Sequence, residues 1–220
     1  ASDVYKRQTY INGFIQKYTP SAADLGYGDG YSDIMATEKS FTFLTNASWT
    51  PDLQSGWSIS NWTPIYNINY FLVHMREAKG LSEATYNHYE GTARFWRAWQ
   101  YFEKVKTFGA VPWYDEPIDP EDMVALYKPR DSREYVMERV LEDLNYACEH
   151  CYTSEAWVDN QKINRYIALA IKSRICLFEG TYRKYHNLNL DGHDANFYLD
   201  LAAKACLLYT SPSPRDRTRS

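Results

Sequence analysis

No run of apolar residues comes near the ~18 that a membrane-crossing helix needs, so the sequence offers no such span. Positive charge is also in short supply. Lys and Arg number 24 against 28 Asp and Glu, for a formal net charge of −4. Nor is there a basic stripe to offset that balance, which argues against nucleic acid and anionic membrane surfaces as partners. Convincing strand patterns are missing, because no stretch alternates apolar and polar residues for long. Cysteine is scarce, with four in 220 residues. Apart from Cys206, which lies in a terminal stretch treated below, they are Cys148, Cys151 and Cys176. An odd number in helical contexts does not make a disulfide framework. What the chain has in plenty is aromatic side chains, 16% of all residues with 20 Tyr and 7 Trp.

Both ends read as foreign to the fold. Residues 1–8, ASDVYKRQ, back-translate into a common transposon-based sequencing adapter. Cys206–Asp216, CLLYTSPSPRD, back-translate into its reverse complement and the primer site behind it, with Arg217–Ser220 as read-through. On that reading 1–8 and 206–220 are adapter-derived, and 9–205 is an internal fragment cut at both ends, which the family resemblance given below implies to be an incomplete N-terminal helical domain. The remainder is more acidic than the whole. The ends hold Lys6, Arg7, Arg215, Arg217 and Arg219 but only Asp3 and Asp216. The length suits one domain with a real core.

The chain is organised around Tyr86–Trp113, YNHYEGTARFWRAWQYFEKVKTFGAVPW. Tyr89, Ala93 and Trp96 fall on one face at helical spacing, and Phe95, Ala98, Trp99, Phe102 and Val105 on another. Two apolar faces predict a helix packed between neighbours. It should start at Ser82 as N-cap with Glu83 behind it. It should end at Phe108, with Gly109 at C′ and Pro112 beyond. Upstream, Tyr10–Tyr18 and Ile34–Lys39 read as short helices around a long irregular region, Ser21–Ser60. Trp62–Glu77 returns to helical spacing. Downstream of Pro112 an acidic loop runs to Arg130, and Asp131 with Glu134 suggests a capping box. Val136, Val140, Leu144, Ala147 and Cys151 then share a face. Lys162–Glu179 is the next helix, with Ile163, Ile167, Ile171, Ile175 and Phe178 inward and Gly180 as C′. Asp194 caps a last helix, Ala195–Ala205. The reading is all-α, with tetratricopeptide-like antiparallel helical hairpins and a long irregular loop region near the N-terminus.

Few motifs carry chemistry. Cys148-Glu149-His150-Cys151 sits near a helix C-terminus, where the dipole opposes a thiolate. Only Cys176 and His186 remain as partners for a zinc site, so core packing is the expected role. DLGYGDGYSD, with Asp24, Asp29 and Asp33, lacks the alternation of a calcium loop and the context of a phosphate loop. It reads as a turn-rich or ligand-contacting loop. Asp115–Glu116 and Glu121–Asp122 have the residue types for the acid and base of a glycosidase, but they sit in a polar loop and nothing nearby separates their pKa values. No catalytic residue, metal ligand or cofactor is therefore assigned. Arg97 lies mid-helix in the most apolar element, so its charge must snorkel or be paired. Asp143, beside Leu144 on the facing helix, is the expected partner, and both residues are given structural roles.

Three ordered segments carry a family resemblance: ARFWRAW-YF followed by TFGAVPW, the PR-DSREYV-EDLNYA run at Pro129–Ala147, and ALAIKSRICLFEGTYRKYH at Ala168–His186. Together they resemble the SusD/RagB-type glycan-binding proteins. The resemblance implies an N-terminal half of tetratricopeptide-like helix pairs and a larger, loop-rich C-terminal half. It also implies a surface-exposed lipoprotein of the cell outer membrane, made with a signal peptide and anchored only through a lipidated N-terminal cysteine that this stretch lacks. Such a protein captures oligosaccharide, or in some members peptide, without doing chemistry on it. It delivers the ligand to a SusC-type TonB-dependent transporter. Aromatic faces that stack on sugar rings are the expected ligand contacts, and Tyr27, Tyr31, Asp33 and Trp57 are the candidates in the irregular loop. Two other readings share parts of the pattern: an intracellular helical-repeat scaffold for protein interactions, and a helical-barrel glycosidase.

Overall fold

The computed structural model describes residues 57–119, 121–153, 162–189 and 193–210. The expected short helices at Tyr10–Tyr18 and Ile34–Lys39, and nearly all of the irregular region, lie outside them. The described residues are mainly helical and include no named strand, and an isolated antiparallel bridge pairs Val111 with Asp131. The helices are α1 (Ile59–His74), α2 (Glu83–Phe108), α3 (Met123–Leu126), α4 (Arg133–His150), α5 (Arg165–Tyr185) and α6 (Ala195–Thr210), with a 3-10 turn, Met75–Glu77, after α1.

The chain divides into two compact units between Thr63 and Pro64. In the first, the described residues are Trp57 to Thr63. There the Asn61 side chain donates to Ser58 Oγ at 2.6 Å, and the Trp57 ring stands edge-on to Trp62 at 5.2 Å.

In the second unit successive long helices are antiparallel neighbours. The start of α2 meets the end of α4, since Thr85 bonds Tyr152 and Gly91 lies against Cys151. At the other end Arg133, opening α4, donates to Val105 O near the end of α2. The same reversal recurs from α4 to α5, where Arg165 N–H donates to Tyr152 O, and from α5 to α6, where Ser173 bonds Ala202 O. This is the tetratricopeptide-like hairpin arrangement.

Local sequence explains most boundaries. Ser82 Oγ accepts from Thr85 N–H to start α2, and Gly109, at φ 71°, ends it where only glycine is unstrained. The α4 stripe is buried as patterned, with Val136, Val140, Leu144 and Ala147 all at 0% exposure. Three expectations need correction. First, Ser132 caps α4 through Tyr135 N–H, and Asp131 does not. Asp131 accepts from Trp113 N–H and from Lys128 Nζ, both at 2.7 Å, so the loop has claimed its carboxylate. Second, α5 runs through Gly180 to Tyr185. Gly180 is a close-approach residue, where a Cβ would stand 2.8 Å from Leu199 Cγ and 3.1 Å from Ala195 O. Third, the buried face of α5 is Ala168, Leu169, Ile175, Cys176, Glu179, Gly180 and Arg183, whereas Ile167 and Ile171 are half-buried and Phe178 is exposed.

Smaller differences have local causes. Within the acidic loop Asp122 accepts from Val124 and Ala125 N–H and nucleates α3. Asp194 caps α6 through Phe197 N–H as expected, but the helix continues past Ala205 to Thr210. Nothing in CLLYT breaks a helix before Pro212, and Leu207 and Leu208 are exposed.

Candidate functional site

The site is built around a charge that α2 cannot release to solvent. Arg97 is 6% exposed, flanked by Trp96, Ala98 and Trp99. Its Nε donates to Asp143 Oδ2 at 2.7 Å, and its Nη2 donates to Oδ1 at 2.9 Å, a bidentate pair with the carboxylate on α4. Nη1 donates to Asn69 Oδ1 of α1 at 3.2 Å. Asn69 in turn donates to Tyr114 O at 2.8 Å, and the guanidinium lies 5.2 Å from the Trp113 ring. One arginine thus ties α1, α2, α4 and the 113–116 loop together. Burial works against its charge, but the hydrogen bonds and charge of Asp143 outweigh that, and the pKa is raised.

Above this pair opens a cleft of about 480 Å³, inside the range of about 300–1,000 Å³ typical of ligand pockets. Four guanidiniums line it, on Arg76, Arg94, Arg97 and Arg139, with five carboxylates, on Glu90, Asp115, Glu116, Glu142 and Asp143. Leu72, Val73 and Trp113 supply the apolar wall. The charges interlock. Arg94 reaches Glu90 at 2.8 Å and Asp143 at 3.7 Å, Arg76 reaches Glu90 at 3.5 Å, and Arg139 reaches Glu142 at 2.8 Å. Arg139 Nε is shut off from solvent with no hydrogen-bond partner among the described residues. The outer face of α1 borders the cleft. There Tyr66 and Tyr70 stack at 6.4 Å with an interplanar angle of 23° and are 42% and 41% exposed.

Sequence reasoning paired Arg97 with Asp143 and weighed Asp115 and Glu116 separately, but it did not bring them together or join Arg94, Glu90 and Arg139 to them. Arg94, Asn69 and Glu90 belong to helix faces whose direction depends on which neighbour each helix meets. The single clue was the Arg94–Arg97 spacing of three, which places both on adjoining faces. A second buried charge cluster was missed entirely. Glu179, fully buried, holds Arg133 at 2.6 Å and Arg183 at 2.9 Å. Their guanidiniums lie over Tyr182 at 3.9 Å and Tyr198 at 4.6 Å.

Of the loop candidates, Tyr27, Tyr31 and Asp33 lie outside the described residues. Trp57 is half-buried against Trp62. Cys148 and Cys151 are buried, and burial pushes their thiols up to about 11 and about 12. Among the described residues no group of His, Cys, Asp or Glu is arranged to hold a metal ion. Asp115 accepts from Trp113 Nε1 at 2.6 Å, and Asp122 is occupied as the α3 cap. Among the described residues no helix is long and apolar enough to cross a membrane.

Comparison with known proteins follows the same lines. A SusD-like family profile, described as "Starch-binding associating with outer membrane", matches residues 8–177. No curated protein matches the chain. Among solved structures, a SusD-like protein of Bacteroides fragilis is 25% identical with a TM-score of 0.52, over 66% of this chain and 24% of its own. A SusD homolog of Bacteroides thetaiotaomicron is 20% identical with a TM-score of 0.53, over 70% of this chain and 29% of its own. A third, solved with xylogluco-oligosaccharide, is 21% identical with a TM-score of 0.50, over 66% and 26%. The chain therefore spans between 24% and 29% of the length of these three structures. With a profile match across most of its length and the same helical fold, the chain belongs to the SusD-like family.

Proposed function

We propose that the whole protein captures oligosaccharide at the outer-membrane surface, as a lipoprotein, and delivers it without chemistry to a SusC-type TonB-dependent transporter. The observation that carries this reading is the family match over residues 8–177, whose description names starch binding and the outer membrane. A solved structure of the same fold with xylogluco-oligosaccharide supports a glycan over a peptide. The helical hairpins act as a rigid frame, held by the buried Arg97–Asp143 and Glu179 clusters. Capture itself falls to aromatic faces and to polar groups set for hydroxyls, with Tyr27, Tyr31, Asp33 and Trp57 as the loop contribution.

Two experiments test it. In native gels cast with starch or xyloglucan, the full-length protein should be retarded by at least one glycan, and retention by peptides alone would contradict the reading. Affinity purification of the protein from its outer membrane should bring down a TonB-dependent transporter. Recovery without any such partner would remove the delivery step.

A further inference from the structure

The geometry points to a second, separate role for the charged cleft: with the Tyr66–Tyr70 face of α1 beside it, it binds a neutral sugar unit of a glycan. The inference rests on the glycan-binding reading above, but it assigns a site of its own within the hairpin frame.

The argument begins with charge. Four guanidiniums and five carboxylates share one cleft. An anion entering it meets the carboxylates of Glu90, Glu142 and Asp143, and a cation meets their arginine partners. Either must break pairs already formed. A neutral ligand with many hydroxyls breaks none, because each hydroxyl both donates and accepts. It can donate to a carboxylate oxygen while accepting from the neighbouring guanidinium. Arg139 Nε makes no hydrogen bond among the described residues, so the guanidinium has donor capacity left unused; Nε itself is shut off from solvent, and a ligand meets Arg139 through the exposed part of its side chain. The exposed rim holds Arg139 and Glu142, with 38% and 51% of their side chains accessible, so a ligand reaches them without rearranging the core.

The second argument is shape. Sugars present apolar C–H faces beside their hydroxyls, and proteins that hold them pair flat apolar surfaces with polar groups. Tyr66 and Tyr70 stand one helical turn apart with their ring planes roughly parallel, 23° from one another. Val73, 49% exposed, follows Tyr70 by three residues and also lines the cleft. On a helix, residues three and four apart lie on one face. The aromatic face and the polar cleft are therefore continuous through Val73, and an extended glycan has a stacking surface leading into a hydrogen-bonding end.

Titration calorimetry on the full-length protein tests this, with xyloglucan and malto-oligosaccharides as probes. Tyr70→Ala, Arg139→Met and Glu142→Gln change exposed or rim side chains and should leave the melting temperature in place. Each should weaken binding of the preferred probe about tenfold. Oligogalacturonate of the same length should bind no better than the neutral probe. Unchanged affinity in all three variants, with the wild type binding, would overturn the cleft as a sugar site and leave the glycan-capture reading standing. Tighter binding of oligogalacturonate would overturn the neutral assignment. No binding of any glycan by the wild type would overturn both.

Discussion

The His88 ring lies flat on Tyr152, 4.1 Å between centroids and 6° from parallel, and accepts the Tyr152 backbone N–H at Nδ1 over 3.1 Å. This contact joins the start of α2 to the segment that leaves α4. It requires a neutral ring, and burial, reinforced by Lys162, lowers the His88 pKa from 6.5 to about 4. The folded chain thus excludes a proton that the unfolded chain binds between those values. Stability should be complete above pH 6.5 and decline as the pH falls toward 4, by up to about 3 kcal/mol. His88→Asn keeps an acceptor near Nδ1 but cannot titrate. Denaturant melts at pH 7, 5.5 and 4.5 should show a shallower decline for the variant than for the wild type. Identical declines would mean that His88 does not govern this window.

Arg97 and Asp143 are expected to act as one unit. Removing one member leaves the other charged and buried, at a cost of about 3–5 kcal/mol, against a total of about 5–15 kcal/mol for a typical fold. Arg97→Met and Asp143→Asn should each fall near that cost, and the double variant should lose less than their sum. A double-mutant cycle by denaturant melting measures the coupling. Additive losses would contradict the pairing as an energetic unit.

Gly180 should not tolerate a methyl group. Alanine ordinarily favours a helix over glycine by about 1 kcal/mol. Here the new Cβ meets Leu199 at 2.8 Å and the Ala195 carbonyl oxygen at 3.1 Å. The overpacking should outweigh the gain and destabilise by about 1–3 kcal/mol. Gly180→Ala with Leu199→Ala should recover part of the loss, and an equal or higher stability for Gly180→Ala alone would show that α6 shifts freely.

The helices were legible because their signals are local. Ser82, Gly109 and the Val136–Ala147 stripe depend on residues within one or two turns of each other. The failures share a different cause. Asp131 and Ser132 are adjacent and equally good caps, and the choice was made by Trp113 and Lys128, residues the local pattern does not see. Gly180 fits a helix end as well as it fits a close approach, and only Leu199 distinguishes them. The α5 face was misjudged because Glu179 and Arg183 are buried where the hydrophobic rule expects Ile167, Ile171 and Phe178. Paired charge satisfies burial as well as apolarity does, but pairing is a tertiary property. The cleft was invisible for the same reason.

The cysteines give a direct check on burial. Cys148, Cys151 and Cys176 are buried with thiols raised to about 11, 12 and 12, while Cys206 is exposed. At pH 8 a thiol reagent should modify one cysteine quickly in the folded chain and the other three only on unfolding. Rapid reaction of Cys148 or Cys151 would place the end of α4 outside the core.

The central claim is capture without chemistry. The most direct measurement is a calorimetric titration of the full-length protein with xyloglucan and malto-oligosaccharides, followed by assay of reducing ends in the same samples. The account predicts saturable binding of at least one of these glycans, weakened by Trp57→Ala or Tyr31→Ala, with no new reducing ends after prolonged incubation. Release of reducing ends, or the absence of binding to any glycan, would contradict it.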